Sequence, residues 1–440
     1  MTAMLDNLAI AAVIALAWLA YKRFYLKAGA SRPSTSEKAA ASTPSSGFSF
    51  PVEPLPAFEE RALAATKPLP FRPFRWGPVY PQHMAIRNIT EGNSWLNIDH
   101  DYSSILSVRT ARTSDPSLVC TKTLPGYHAH ALEALVEVAS FLSTRFPALF
   151  KVTRSAFDAK KPETWGDSIV GKEGGAIVAV QNCLTGENFD FKEIEAKEGE
   201  DWNPMRVAGL LLQDDLAVMV EDEQGHYRFQ AGSICTAGFW RLQDKIGLTL
   251  DEIHFKGSVP NYAEKYQRPM NRFFSNLRED KLIERNNYFF QVDDQLGWSS
   301  ATNGTEKIFD QYNKGPQDGK FDATAGHVKP EIATDIRQVH FRTERQSLRR
   351  LPKTRAILFT VRTYLIPVVD LGDEPGLPGR MASGIRSWPN DSERQVNWYK
   401  GGELFNPVLL PYLDKKHEEQ LAAGIVQLNE KGTTEEQYPY

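Results

Sequence analysis

The sequence predicts an α+β chain, a large globular body of helices and strands behind a single N-terminal transmembrane helix. Three stretches carry that expectation. Leu8 to Tyr21 (LAIAAVIALAWLAY) is continuously apolar. The residues from Gly126 onward (YHAHALEALVEVASFLSTRF) form an amphipathic helical pattern that ends before Pro147. Arg355 to Val369 is β-branched and aromatic, as strands are.

At 440 residues the chain can bury a large core, as one domain or two. Charged residues at 24% and hydrophobic residues at 41% are ordinary for a soluble enzyme. With 51 basic against 55 acidic residues the net charge is -4, which argues against a general nucleic-acid binder. Cys120, Cys183 and Cys235 are far apart and form no CxxC pair, so neither a zinc nor an iron–sulfur signature is present. So sparse a set suits a reducing compartment.

Residues 1–27 read as a membrane anchor, its apolar run short for a span but extended by its flanks. Lys22, Arg23 and Lys27 follow the run and only Asp6 precedes it, which leaves the bulk of the chain in the cytosol. A cleaved signal peptide is the rival, but its basic residues would stand on the other side. The sequons at Asn88, Asn303 and Asn390 matter only if that topology is reversed. Residues 28–49 are a flexible tether rich in Ala, Ser, Thr and Pro. The globular domain runs over 50–425, and 426–440 is a loose acidic tail.

Within the domain, Pro68 to Thr90 is dense in proline and aromatics and lies irregularly over a core. The next stretch, WLNIDHDYSSIL, offers Asp99 and Tyr102 as a polar pair. His128 and His130 make a His-x-His pair at a helix start; no third metal ligand stands at a useful spacing, so they read as surface residues. GKEGG at 171–175 lacks phosphate-loop spacing and reads as a turn. Met205 to Trp240 is a helix followed by strands, with Glu223 to Gly225 as a hairpin turn. Asp214 and Asp215 read as turn or cap residues, Asp215 pointing inward, because neighbours on a strand face opposite ways. Ala263 to Leu282 is a helix, 295–336 a polar surface insertion, the stretch after Val369 a loop, and Glu403 to Leu413 a closing helix.

The most informative stretch is His340 to Val369. Phe341 to Leu351 reads as a short helix, with Arg342, Arg345 and Arg349 at i, i+3 and i+7 on one face, stopped by Pro352. The strand that follows is buried on both sides. Ile357, Phe359, Val361 and Leu365 share one face; Leu358, Tyr364 and Ile366 share the other, with Arg362 among them. A charge there must be paired or must bind an anion, and arginine's planar fork suits carboxylates.

RTERQSLRRLPKTRAILFTVRTYL closely resembles the signature of the haem-dependent oxidative N-demethylase family, R-x-E-R-Q-x-L-x-R-L-P followed by a strand ending R-T-Y-L. Trp240, Lys245, Gly247, Ile253, His254, Val259 and Pro260 stand where that family shows W-x4-K-x-G and I-H-x-x-V-P, with two extra residues after the histidine. Arg285 to Tyr288 resembles R-x-N-W with tyrosine for tryptophan. The resemblance spans about Pro68 to Leu413. It implies a PAS-like antiparallel core with surrounding helices, haem b, and dioxygen-driven oxidation of an amine N-methyl group with release of formaldehyde.

A lone histidine in apolar company is ordinarily a satisfied core residue; the resemblance makes His254 the first choice for axial iron ligand. It implies cofactor-binding roles for Arg342, Arg362 and Tyr364, and catalytic roles for Glu344 and Arg345. Glu344 would relay a proton, attract a cationic amine or simply pair with the arginines. With no GxGxxG after a strand and no cysteine cluster, electrons are expected from a separate reductase partner, acting on a small-molecule substrate. The rival readings are a non-enzymatic haem or small-molecule sensor, and an oxygenase acting on C–H bonds of another substrate class.

Overall fold

Strand β9, His340–Arg350, is the spine of the molecule, and it is the stretch expected to be helical. The computed structural model describes residues 50–69, 71–77, 84–156, 175–196, 203–308, 330–389 and 396–434. The expected span Leu8–Tyr21, the tether and the GKEGG turn lie outside or at the edge of these ranges. Among the described residues no helix is long and apolar enough to cross a membrane.

The other strands are β1 (Arg87–Asn88), β2 (Thr121–Thr123), β3 (Phe150–Arg154), β4 (Ile177–Asn182), β5 (Asn188–Asp190), β6 (Asp215–Glu221), β7 (Tyr227–Ser233), β8 (Ile283–Gln291) and β10 (Ile357–Pro367). Seven of them form one sheet in the order β1-β8-β9-β10-β6-β7-β2, while β3, β4 and β5 form a second. The pairings are antiparallel throughout. The α+β class therefore holds.

β9 is a strand because both its edges are paired along its length, with β8 from Ile283↔Leu348 to Gln291↔His340 and with β10 from Ile357↔Arg350 to Pro367↔His340. A two-residue period replaces the helical one. Arg342 then shares a face with Glu344 and Gln346, whereas Arg345 and Arg349 point to the opposite side. The i, i+3, i+7 grouping of the three guanidinium groups does not exist. Every residue of β9 is buried, and its charges are tolerated because each has partners. Arg350 alone donates to the carbonyls of Leu277, Phe274 and Arg355 and to the Tyr227 hydroxyl.

The two sheet faces bury different cores. On one, Leu358, Leu216 and Val218 pack against the His128–Arg145 helix, and Tyr288, Phe290 and Phe341 against the helices Leu377–Arg386 and Gly402–Ala422. The first of these two C-terminal helices occupies the stretch expected to be a loop. On the other face, Leu348, Ile357, Ile283 and Met219 pack under Leu242, Leu250, Phe274 and Leu277 from the segment joining β7 to β8. The insertion expected on the surface is packed where described: Trp298, Ser299 and Ala301 are buried. The expected Glu223–Gly225 hairpin joins β6 to β7, with Gly225 at φ 82°.

Candidate functional site

The segment between β7 and β8 carries His254, and local rules fix its place. Thr249 caps the helix Leu250–Lys256: its hydroxyl accepts from Glu252 N, and the Glu252 carboxylate accepts from Thr249 N. His254 lies one turn in. Its Nδ1 is 2.7 Å from the Leu250 carbonyl, the helical i-4 position, so Nδ1 carries the proton. That leaves the lone pair on Nε2, which has no hydrogen-bond partner among the described residues and is not sealed in the core. Burial pulls the pKa of His254 down to about 4, and Lys245 and Arg285 act in the same direction. The imidazole is therefore neutral at physiological pH.

Neighbouring groups hold the ring still. Tyr262 stacks on His254 with centroids 4.7 Å apart and planes 7° apart. Tyr262 opens a one-turn π-helix, Tyr262–Tyr266, after Asn261 in the left-handed region at φ 56°, and such turns recur at functional sites. The Asp251 carboxylate ties the turn down, accepting from Tyr262 Oη at 2.7 Å, Gln267 Nε2 at 2.8 Å and Asn271 Nδ2 at 3.0 Å. The helix expected over Ala263–Leu282 is thus a π-turn followed by a shorter helix, Gln267–Asn276.

Strand register sets the floor opposite this segment. Asn287↔Glu344↔Thr363 and Arg285↔Gln346↔Val361 are cross-strand neighbours on the Leu348 face. Glu344 is buried and accepts from Gln346 Nε2 at 2.8 Å and Asn287 Nδ2 at 3.5 Å. Two lysines flank it. Lys245, the last residue of the one-turn helix Leu242–Lys245, lies 4.0 Å over the ring of Trp240, which stands just before that helix. Burial lowers its pKa to about 8 against the pull of Glu344. Lys400 is buried, donates to the Tyr288 carbonyl at 2.6 Å and lies 4.3 Å from the Phe289 ring centroid. Burial lowers its pKa to about 7, again opposed by Glu344 and reinforced by Arg285. A neutral imidazole, and a buried carboxylate with two lysines of lowered pKa near it, are the marks of a working site.

The structure divides the remaining sequence-derived candidates. Arg342 is on the Glu344 face but is committed to structure, donating to Gln291 Oε1 at 3.0 Å, to the Leu296 carbonyl at 3.1 Å and to the Thr236 carbonyl. Gly238, at φ +77°, packs on this guanidinium; a Cβ there would come within 2.7 Å of it. Arg345, Arg362 and Tyr364 lie on the opposite face. Arg345 binds Glu284 at 3.0 Å and the carbonyls of Ser94 and Trp95. Arg362 pairs with both oxygens of Asp99 at 2.9 Å and stacks 4.4 Å from the Tyr364 ring. The charge of Arg362 is thus answered within the protein.

Asp215 points inward, as expected, where Arg109 and the amides of Cys235 and Thr236 hold it. Asp214 is also buried, and burial raises its pKa to about 6. Among the described residues no group of three His, Cys, Asp or Glu gathers as a metal site; His128 and His130 stand in the first turn of the helix His128–Arg145. Lys400, Tyr262 and Asp251 escaped sequence reasoning: no local spacing marks them. A family profile described as "Haem-dependent oxidative N-demethylase, alpha subunit-like" matches residues 85–410.

Proposed function

The chain belongs to the haem-dependent oxidative N-demethylase, alpha subunit-like family, and from that premise we propose that it is an oxygenase that binds haem b through His254 and oxidises the N-methyl group of a small amine. One observation carries the reading: the neutral imidazole of His254 has Nδ1 committed to a carbonyl and Nε2 unpartnered among the described residues, with the cations Lys245 and Arg285 near enough to depress its pKa. A backbone-bonded imidazole is the donor that iron porphyrin takes. Lys245 and Arg285, close enough to depress its pKa, are the cations that would meet the propionates. The residues present therefore fit the group, and bound haem would supply dioxygen activation.

The chain's own contribution is recognition. Glu344 is held by two amides, so its carboxylate is oriented toward a cationic amine rather than free to turn. In the overall change, an N-methyl amine, one dioxygen, two electrons and two protons give the demethylated amine, one formaldehyde and one water. The C–H bond is oxidised first, and the C–N bond then breaks to release formaldehyde. The electrons come from a separate reductase. What supports a PAS-like core is the seven-stranded antiparallel sheet whose β7–β8 connection carries helices across one face.

The deciding experiment is an absorption spectrum of the purified protein with haem, in air and under carbon monoxide. A Soret band that His254→Ala removes or shifts is the expected result. If no Soret band forms, the proposal fails. Formaldehyde release from an N-methylated amine, with an added electron donor, then tests the reaction itself.

A further inference from the structure

Two thiols lie outside the site just described, and the proposed reaction uses neither. Cys120 leads into β2 and Cys235 follows β7; both are buried and unbridged. The Thr121↔Ser233 register and the bond from Ile234 N to the Cys120 carbonyl at 2.7 Å make them neighbours across the same pair of strands. Both line one small cleft of about 30 Å³, together with Arg112, Trp240, Gly297 and Glu306. That volume admits about two water-sized groups. Arg112 engages Glu306 through its two Nη atoms at 2.8 and 2.6 Å, while its buried Nε–H has no partner among the described residues. The cleft therefore offers two neighbouring thiols, an Arg112–Glu306 ion pair and an unanswered donor in a space for about two heavy atoms.

We propose that Cys120 and Cys235 are a dithiol that hydrogen peroxide oxidises to a disulfide. Cys235 is the attacking sulfur. A bond from the Cys120 thiol holds Cys235 below the usual thiol range, and Arg109 and Arg112 assist against burial, while that same bond and burial push Cys120 up. The Cys235 thiolate attacks one peroxide oxygen, the O–O bond breaks, and Cys235 becomes a sulfenic acid as hydroxide leaves and takes a proton. The Cys120 sulfur then attacks the Cys235 sulfur, the S–O bond breaks, and a second water leaves. Two thiols and one peroxide give one disulfide and two waters. The linkage would tighten the Ile234–Trp240 segment, whose Thr236 carbonyl receives Arg342 and whose Trp240 ring carries Lys245.

The test uses the reduced full-length protein and reads the sulfurs alone, so it stands apart from the assignment of His254. One equivalent of hydrogen peroxide is added, and peptide mass spectrometry follows each cysteine. A Cys120–Cys235 linkage is expected to form at least tenfold faster than any oxidation of the more exposed Cys183. A bulky thiol reagent is expected to reverse that order and label Cys183 first. In C120S, a 1,3-dione should trap sulfenic acid on Cys235. Oxidation of Cys183 ahead of the pair, or no linkage in the wild-type protein, would overturn the proposal.

Discussion

The ring of His254 lies parallel to that of Tyr262, 4.7 Å away, and the Tyr262 hydroxyl is anchored on Asp251. The imidazole plane is therefore set by a neighbour and not by the helix alone. Tyr262→Phe keeps the stack and loses the anchor; Tyr262→Ala loses both. A stacked pair contributes roughly 0.5–1.5 kcal/mol. Haem affinity by Soret titration should fall less than about threefold in the first variant and about tenfold in the second. Equal affinities in all three proteins would show that the stack does not position the ligand.

Glu344 sits among Lys245, Lys400, Gln346 and Asn287, and its removal separates a binding role from a structural one. Glu344→Gln preserves shape and the amide contacts. A hydrogen bond to a charged group contributes about 1.5–3 kcal/mol, so KM for a cationic amine should rise about tenfold or more, with the Soret band unchanged. An unaltered KM would remove Glu344 from substrate recognition.

If the proposed haem site is right, its lysines make haem binding depend on pH, with a sign that follows from their depressed values. Lys400 and Lys245 lose their charge near pH 7 and 8, whereas His254 stays neutral at every pH well above about 4. On the proposed reading the iron ligand therefore does not titrate, whereas Lys245, the lysine assigned to a propionate, does. Affinity should weaken between pH 6.5 and 9, by about fivefold for each ~1 kcal/mol ion pair lost. In Lys245→Met the fall should shrink. For folding, the sign is opposite: the unfolded lysines hold their protons to higher pH, so the penalty these two groups place on the folded state is relieved progressively as pH rises from about 7.

Arg362 and Asp99 test the division between faces. They form a buried pair on the side of the sheet away from His254. Removing one partner strands a charge and costs about 3–5 kcal/mol. Arg362→Met should unfold at a markedly lower temperature, yet the protein folded in the cold should keep the haem spectrum and affinity of the wild type. A selective loss of haem binding without loss of stability would return Arg362 to the cofactor site.

What could be read from the sequence was what is written locally. β10 was legible because its residues are β-branched and aromatic, and Arg362 stood out as a charge needing an answer. The Asp99 that answers it is 263 residues away, beyond any local pattern. β9 was misread because its arginines imitate a helical face at i, i+3 and i+7. Nothing in the stretch reveals that Glu284, Ser94, Trp95 and Glu137 wait to receive them. His254 was found by motif, but Lys400 could not be: it reaches the site by capping the Tyr288 carbonyl, a contact spanning 112 positions.

The dense charge of β9 and β10 also dictates an order of events during synthesis. Ser94, Trp95 and Asp99 leave the ribosome about 250 residues before the arginines that bind them. Until then the N-terminal half holds an acidic group and open carbonyls that have no cationic counterpart. The nascent chain cannot close its centre until almost the whole domain has emerged, so truncation before Arg362 should yield a species dependent on chaperones, not a smaller stable fold.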